Sequence, residues 1–281
     1  MVNALALTHT LTATLQQSRK ARRVSQLELS LRMGVSQRHV SFVESGRAKP
    51  SRELLVAWLQ ELEVPLAQRN AAMLQAGYAP VYSQQSLQDA PLLPAKEAIL
   101  HLLRTHDPMP AFVLDAQWNL MHVNRGGRWL ALTLMPWLAD ALASGAPLNM
   151  LDALCHPEGF TKHLVNLDEV GPAFLSHLRD DASVQPSLAP KAEAFAALLR
   201  DRLGSHSLHT GWPRQLAPVL ISRFATAHGE LSFFSMFTTF GTPQDITLAS
   251  LRVEHMFAAD AQTKAVLKRE VERENAEVSL T

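Results

Sequence analysis

The sequence predicts two domains of different class, an all-α domain of five helices followed by an α+β domain with an antiparallel sheet. Residues 1–80 are dominated by helix-capping residues and by apolar positions three or four apart, whereas residues 92–270 contain strand-like runs and hairpin turns. The stretch between them holds several glutamines together with turn-forming residues, and we place a linker at residues 81–91. A chain of 281 residues with 47% hydrophobic residues is able to bury two cores.

The distribution of charge supports the same division. Residues 1–80 hold ten Lys and Arg against five Asp and Glu, while the other 201 residues hold sixteen against twenty-one, and the whole chain is formally neutral. A basic small domain suits binding to nucleic acid, and an acidic domain does not. We therefore expect the first domain to contact DNA and the second domain to have a function other than DNA binding.

The composition also indicates the cellular compartment in which we expect the protein. The single cysteine, Cys155, excludes an internal disulfide framework and is expected to be a small buried hydrophobe in a reducing compartment. The longest apolar run, residues 129–139, falls short of the roughly 20 residues that cross a bilayer. The first residues lack the basic start of a secretion signal. We expect a cytoplasmic protein with no membrane partner.

The first two predicted helices follow from spacing and capping. Leucines at positions 7, 11 and 15 recur every fourth residue and predict a helix that ends in the basic run at residues 18–23. Ser25 and Glu28 form a capping box, so a second helix begins at Ser25. Gly34 can adopt the left-handed conformation that ends it.

A third helix begins almost at once, capped by Ser36, with Val40 and Val43 directed inward. Two short helices joined by a tight turn are typical of a helix-turn-helix that reads DNA. Gly46 ends the third helix, and the basic loop after it suits a phosphate backbone. Ser51 and Pro65 then open a fourth and a fifth helix.

At these residues the chain resembles the Cro/C1-type helix-turn-helix family, also called the xenobiotic-response-element family. The matching residues are Gln26, Leu29, Ser30, Gly34, Val35, Ser36, Ser41, Glu44, Gly46 and Pro50. The resemblance implies that Gln26 anchors a phosphate, that Gln37 and Arg38 face base edges, and that Arg19 pairs with Glu44. Phe42 departs from the family, which carries a polar residue there, and it either touches a thymine methyl group or packs on a neighbour.

The predicted DNA-binding residues lie on the third helix, at its start and in the loop that follows, with one more on the second helix. They are Gln26, Ser36, Gln37, Arg38, His39, Ser41, Phe42, Arg47 and Lys49. A helical domain that uses the same motif to bind protein is the alternative.

The second domain alternates helices with strands that are adjacent in the chain. The pattern predicts helices at residues 92–106, 124–134, 149–155, 166–180 and 189–203, and a final helix capped by Asp260. It predicts strands at residues 111–114, 118–123, 217–227, 230–240 and 246–257. Two strands, a helical excursion and three more strands indicate an α+β plan. Residues 271–281 are expected to form a charged C-terminal tail.

This plan, with a strand that ends in Asn124 and turns directly into a helix, resembles the PAS core. More specifically, residues 92–270 resemble the MmyB-like ligand-binding domain. The motifs are PAFVLDAQWNLMHVN, LCHPEG, VNLDEV and LSFFSMFTTFGTPQDITLASLRVEHMFAADAQT. The resemblance implies a sensor for a small, largely apolar ligand, of which a fatty-acyl compound is one example. We expect this domain also to provide dimerisation.

No catalytic or metal-binding pattern accompanies these features. The sequence contains no G-x-S-x-G elbow and no Gly-rich phosphate loop, so we do not expect an enzyme. Among the twelve histidines, His156 with His163 and His206 with His209 lie near each other in the chain, but neither pair belongs to a recognised metal-ligand spacing. We expect no metal and no cofactor.

Aromatic residues and Met on the predicted strands suggest the lining of a pocket, with a few polar residues as anchors. The predicted ligand-binding residues are Phe112, Trp118, His122, Asn124, Arg223, Phe234, Met236 and Thr239. Arg223 lies in an otherwise apolar strand, so an inward guanidinium needs a carboxylate from a ligand or from a neighbouring Asp or Glu. The alternative is that the apolar residues simply fill a core.

Together these features predict a transcription regulator that binds a palindromic double-stranded DNA operator as a homodimer and responds to a small apolar molecule. Release and promotion of DNA binding by that molecule are both compatible with the sequence. The alternative is a DNA-binding regulator whose second domain only dimerises or binds a protein partner.

Overall fold

A computed structural model of the chain describes residues 10–204 and 218–278, which divide into two compact units. Unit 1 extends to Ser86 and also includes Thr242–Ala249, while unit 2 comprises Leu87–Gly241 and the chain from Ser250 onward. Within the described residues, no helix is both long enough and apolar enough to span a bilayer.

Unit 1 contains the five predicted helices. They are α1 (Leu11–Ala21), α2 (Gln26–Met33), α3 (Gln37–Glu44), α4 (Arg52–Glu61) and α5 (Leu66–Gln75). The predicted caps are present, since the Ser25 hydroxyl accepts from the Glu28 N–H at 3.0 Å and Gly34 has a φ of 67°. The predicted start of the first helix at Leu7 lies outside the described residues. A core that includes the fully buried Trp58 holds these helices together.

Unit 2 has the predicted α+β class. Its helices are α6 (Leu93–His106), α7 (Arg125–Leu134), α8 (Ala139–Ser144), α9 (Met150–Cys155), α10 (Phe160–His163), α11 (Leu167–Val184), α12 (Ala189–Leu203) and α14 (Ala261–Val278). The short helix α13 (Ile246–Ser250) belongs to unit 1 except for its last residue. The strands of unit 2 are β1 (Ala111–Leu114), β2 (Leu120–Val123), β3 (Ser222–Thr226), β4 (Gly229–Thr239) and β5 (Arg252–Ala258). The short helices α8 and α10 were not predicted.

The five strands form one antiparallel sheet in the order β2-β1-β5-β4-β3. Phe112 on β1 and Phe237 on β4 lie opposite Glu254 on β5, and Ser235 lies opposite Met256. Because cross-strand partners share a face and side chains alternate along a strand, these five residues lie on one face. We call it the core face, since Phe112 and Met256 belong to the main hydrophobic core of unit 2.

The predicted strand at residues 246–257 is partly wrong. Its first part forms α13, and the strand begins only at Arg252. The Asp245 carboxylate accepts from the Thr247 N–H at 2.8 Å and thereby favours a helical turn, a local signal stronger than the apolar run. The predicted strand at residues 217–227 is shorter than expected, since β3 begins at Ser222, and Ala217 lies outside the described residues.

The connection between β4 and β5 carries an unpredicted set of contacts within unit 1. Asp245 is buried, and its carboxylate accepts from the Ser83 hydroxyl at 2.7 Å and from the Gln85 N–H at 3.1 Å. The Ile246 N–H donates to the Ser83 carbonyl at 2.8 Å. These hydrogen bonds explain why Thr242–Ala249 groups with the first unit.

Candidate functional site

Helix α3 presents the side chains that sequence reasoning placed on a reading face. Val40 and Val43 are buried in the unit 1 core, whereas Gln37 and Arg38 in the first turn are exposed. The Ser36 hydroxyl accepts from the His39 N–H at 3.2 Å, so Ser36 caps the helix and fixes its direction. The start of α3 therefore offers two long polar side chains to a partner.

Phe42 packs on its neighbours. Its half-buried ring lies 5.1 Å from the guanidinium carbon of Arg38 and 5.6 Å from that of Arg47. Both arginines lie within cation–π distance of the ring. Phe42 thus fixes the position of two cations, one on the reading helix and one in the loop after it.

The remaining predicted DNA-binding residues surround the same face. Lys49 is exposed, and its ammonium lies 4.9 Å from the ring centre of Tyr78. His39 and Ser41 are half-buried on α3. Gln26 donates from Nε2 to Glu44 Oε2 at 2.8 Å, and since an amide nitrogen carries two hydrogens, the second suits a phosphate.

Unit 2 contains a cavity of about 740 Å³, its open mouth included, on the core face of the sheet. Strands β1, β3, β4 and β5 form one wall, and helices α9 to α12 form much of the rest. Six aromatic side chains line it, namely Phe112, Trp118, Phe160, Phe174, Phe195 and Phe224. Its polar lining consists of Thr161, Ser222, Ser235 and Glu254. This is the mostly apolar cavity with a few polar groups that small-molecule sites have.

Two of the predicted ligand-binding residues, Phe112 and Trp118, line this cavity. Trp118 is held firmly, because its indole N–H donates to Asp181 at 3.0 Å and the Arg252 guanidinium lies 3.9 Å from its ring centre. Phe174 meets the same indole edge to face at 5.3 Å. The apolar part of the predicted pocket is therefore built around Trp118.

Arg223 does not line the cavity. Its neighbours Ser222 and Phe224 do, so strand alternation sends the Arg223 side chain to the opposite face of the sheet. There it is 41% exposed and lies 3.8 Å from Glu230. A neighbouring carboxylate, the alternative left open by the sequence, is its partner.

Phe234 and Met236 share that opposite face, because they alternate with the cavity-lining Ser235. The Phe234 ring stacks on Phe257 at 5.3 Å, and Met236 is 57% exposed. Neither residue lines the cavity.

The other three predicted polar anchors, Asn124, His122 and Thr239, do not line the cavity. The Asn124 amide bonds within the protein, accepting from the Ala111 and Gly127 N–H groups and donating to the Met109 carbonyl, each at 2.8 Å. His122 lies outside the cavity lining, and burial lowers the pKa of its imidazole. Thr239 is exposed at the end of β4.

Sequence reasoning missed Glu254, the one ionisable residue in the described cavity lining. The Ser235 hydroxyl donates to Glu254 Oε1 at 2.8 Å, and burial raises the pKa of Glu254. Glu254 is partly exposed and lines the cavity. Glu254 is the single carboxyl of β5, the same kind of signal that drew attention to Arg223.

No group of three or more His, Cys, Asp or Glu suited to a metal ion occurs in the described parts of the chain. His206 and His209 lie outside those parts.

Comparison with protein families agrees with this architecture. Residues 95–269 match the family described as "MmyB-like transcription regulator ligand binding domain". The chain belongs to the MmyB-like transcription regulators. Residues 15–68 of this MmyB-like regulator match the helix-turn-helix family, so a DNA-binding domain precedes the ligand-binding one, as predicted. Both families are regulatory, and neither is an enzyme family.

Among solved structures, the regulator is similar to one titled "Structure of an RNA-binding Light-Oxygen-Voltage Receptor", at 12% identity and a TM-score of 0.25. The alignment covers 96% of the regulator and 65% of that chain. A search of curated proteins gave no match.

Proposed function

We propose that this MmyB-like regulator binds operator DNA through α3 and that a small, largely apolar ligand in the unit 2 cavity modulates this binding. The observation that carries the proposal is the partly open, aromatic-lined cavity in a chain that also presents an exposed reading helix. A domain that only dimerises has no need of such a cavity, since tight packing of the same residues is more stable.

On the DNA side, Gln37 and Arg38 contact base edges in the major groove, since they are exposed in the first turn of α3. Gln26, Arg47 and Lys49 contact phosphates. The remaining predicted residues support this face, with Ser36 capping the helix, Phe42 positioning the two arginines, and His39 and Ser41 lying beside them.

On the ligand side, Phe112 and Trp118 contact the apolar body of the molecule, together with the other aromatic residues that line the cavity. A fatty-acyl chain offers suitable apolar surface. Burial of an apolar ligand gains about 25 cal/mol for each Å² removed from water. Binding of an apolar molecule to a cavity with this lining is therefore favourable.

The regulator acts in the cytoplasm as a homodimer on a palindromic operator. One recognition helix reads only a few base pairs, and two related by twofold symmetry reach half-sites about 34 Å apart. Residues 92–270 supply the dimer contacts in this proposal. Neither half of the function requires catalysis.

Organic extraction of the purified protein followed by mass spectrometry tests the ligand side directly. We expect an apolar small molecule in the extract from the full chain and none from a variant with a filled cavity, Val170→Trp. Val170 lines the cavity from α11 and is only partly buried, so a larger side chain can extend into the space. Empty extracts from both proteins, with an intact melting transition, favour the purely dimerising second domain.

A further inference from the structure

The ionisable and polar side chains that line the cavity indicate the chemical class of its ligand. Glu254 is the one ionisable residue in the described lining, and Thr161, Ser222 and Ser235 supply its other polar side chains. No lysine, arginine or histidine is part of that lining. A ligand in this cavity therefore meets a carboxyl and three hydroxyl groups.

Arg252, the nearest arginine or lysine on the same strand, is absent from the lining and partly engaged, although its buried Nε has no hydrogen-bond partner among the described residues. Its Nη1 donates to Asp181 Oδ2 at 2.8 Å, and its guanidinium covers the Trp118 ring at 3.9 Å. Within the described chain, Glu254 has no cation within ion-pair distance, and the hydroxyl of Ser235 bonds to one of its two oxygens. A carboxylate has about four acceptor positions, so Glu254 has room for another donor.

The aromatic lining of the cavity also suits a cationic group. Six aromatic residues line the same cavity as Glu254, and the face of an aromatic ring attracts a cation. A carboxylate combined with several aromatic rings is a chemical environment that favours an alkylammonium group over an anion.

We propose that the cavity binds an apolar amine, with its ammonium group donating to Glu254 and its hydrocarbon part packed among Phe112, Trp118 and Phe174. This inference rests on the proposed function, since it requires that the cavity binds an apolar ligand at all. It replaces the carboxylate head group that Arg223 had suggested, because Arg223 lies on the other face of the sheet.

A carboxylic acid of the same length fits less well. Its carboxylate would face Glu254, and two like charges in a confined space repel each other. Arg128 lines a much smaller neighbouring cleft, but that residue is exposed, so water already solvates it.

Three probes with an eight-carbon hydrocarbon chain and different head groups test the proposal, namely octylamine, 1-octanol and octanoate. Binding to the full chain is measured by isothermal titration calorimetry at constant pH and salt. We expect octylamine to bind about tenfold to a hundredfold more tightly than octanoate, with octanol between them, as for a charge-assisted hydrogen bond.

Glu254→Gln should remove most of the advantage of octylamine while leaving octanol binding within about twofold, since the shape of the side chain is kept. Glu254→Asp, which keeps the charge, should retain the preference for the amine. Glu230→Gln is the matched control, because it removes the same charge from an exposed residue that is absent from the cavity lining, and it corrects for attraction of amines to an acidic domain.

Octanoate binding as tightly as octylamine, or an amine preference unchanged by Glu254→Gln, would overturn the head-group inference while leaving the cavity as a ligand site. If none of the three probes binds the unmutated protein, the proposed ligand cavity and the head-group inference both fail. Retained octanol binding in Glu254→Gln shows that the variant is folded.

Discussion

Arg19 and Glu44 form a two-pronged ion pair, with Nε to Oε1 at 2.6 Å and Nη2 to Oε2 at 2.8 Å. Glu44, at the end of α3, is 2% exposed, and Arg19 lies on α1. The pair was predicted from family resemblance, and the structure confirms it. Because it joins the reading helix to the first helix, it sets where the reading face sits on unit 1.

Removal of one partner should leave the other buried and unpaired. We expect Glu44→Ala to destabilise unit 1 by about 3–5 kcal/mol, and Arg19→Met combined with Glu44→Ala to recover part of that loss. Amide hydrogen exchange of α1 and α3 in the full chain measures the loss in Glu44→Ala and the recovery in the double variant. Losses in the double variant equal to the sum of the single losses would show that the two side chains do not act as a pair.

The same pair predicts sensitivity of unit 1 to acid. Burial by itself raises the pKa of Glu44, but the hydrogen bonds from Arg19 and Gln26 outweigh burial and hold the pKa below its ordinary value. A depressed carboxyl pKa adds stability that is complete above the unfolded value of about 4.3 and is lost as the pH falls through the lower folded value.

Exchange protection of α1 and α3 should therefore drop below about pH 4.3 in the unmutated protein. In Arg19→Met with Glu44→Gln, which has no such carboxyl, protection should change less over that interval. Parallel pH curves for the two proteins would assign the acid response to other groups.

The two kinds of DNA contact should respond differently to mutation. Gln37→Ala and Arg38→Ala should each lose about 1–3 kcal/mol at one base pair and relax sequence preference. Lys49→Ala should weaken binding to all sequences alike and reduce the dependence on salt. Fluorescence anisotropy against a selected operator and random DNA separates the effects, and an unchanged operator-to-random ratio in Arg38→Ala would place the reading face elsewhere.

The capping signals explain why unit 1 was predictable. Ser25, Ser36 and Ser51 each accept from a backbone N–H three residues later, so local chemistry alone fixes where α2, α3 and α4 begin. Asp245 acts similarly at the start of α13, accepting from the N–H two residues later, but its apolar neighbours on the C-terminal side resemble a strand and concealed it.

The ligand site was less predictable, because one residue of strand register decides which side chains enter the cavity. Arg223 and Glu254 are both charged residues on strands, and the sequence offers no local means of choosing between them. Their faces are fixed by cross-strand pairing, Arg223 with Ser232 and Glu254 with Phe112 and Phe237. The pairing of Phe112 with Glu254 joins residues more than a hundred positions apart, beyond the reach of pattern reasoning.

The dimer proposed for operator binding has its own test. Analytical ultracentrifugation of the full chain should show twice the mass of the 31.0 kDa protomer, both free and on a selected palindromic duplex. The isolated half-site should bind far more weakly than the palindrome, since the second recognition helix then has no partner sequence. A monomer in both states would contradict the symmetric arrangement.

The central claim, that a ligand in the unit 2 cavity controls DNA binding, is tested most directly by the operator affinity of the full chain with and without octylamine, octanol and octanoate. At least one probe should change the operator Kd by about fivefold or more in the unmutated protein, in line with typical couplings between sites. Val170→Trp should abolish the change, and Met236→Trp should retain it, because Met236 is exposed on the opposite face of the sheet. An operator Kd unaffected by all three probes in the unmutated protein, or an equal change in Val170→Trp, would contradict control through this cavity.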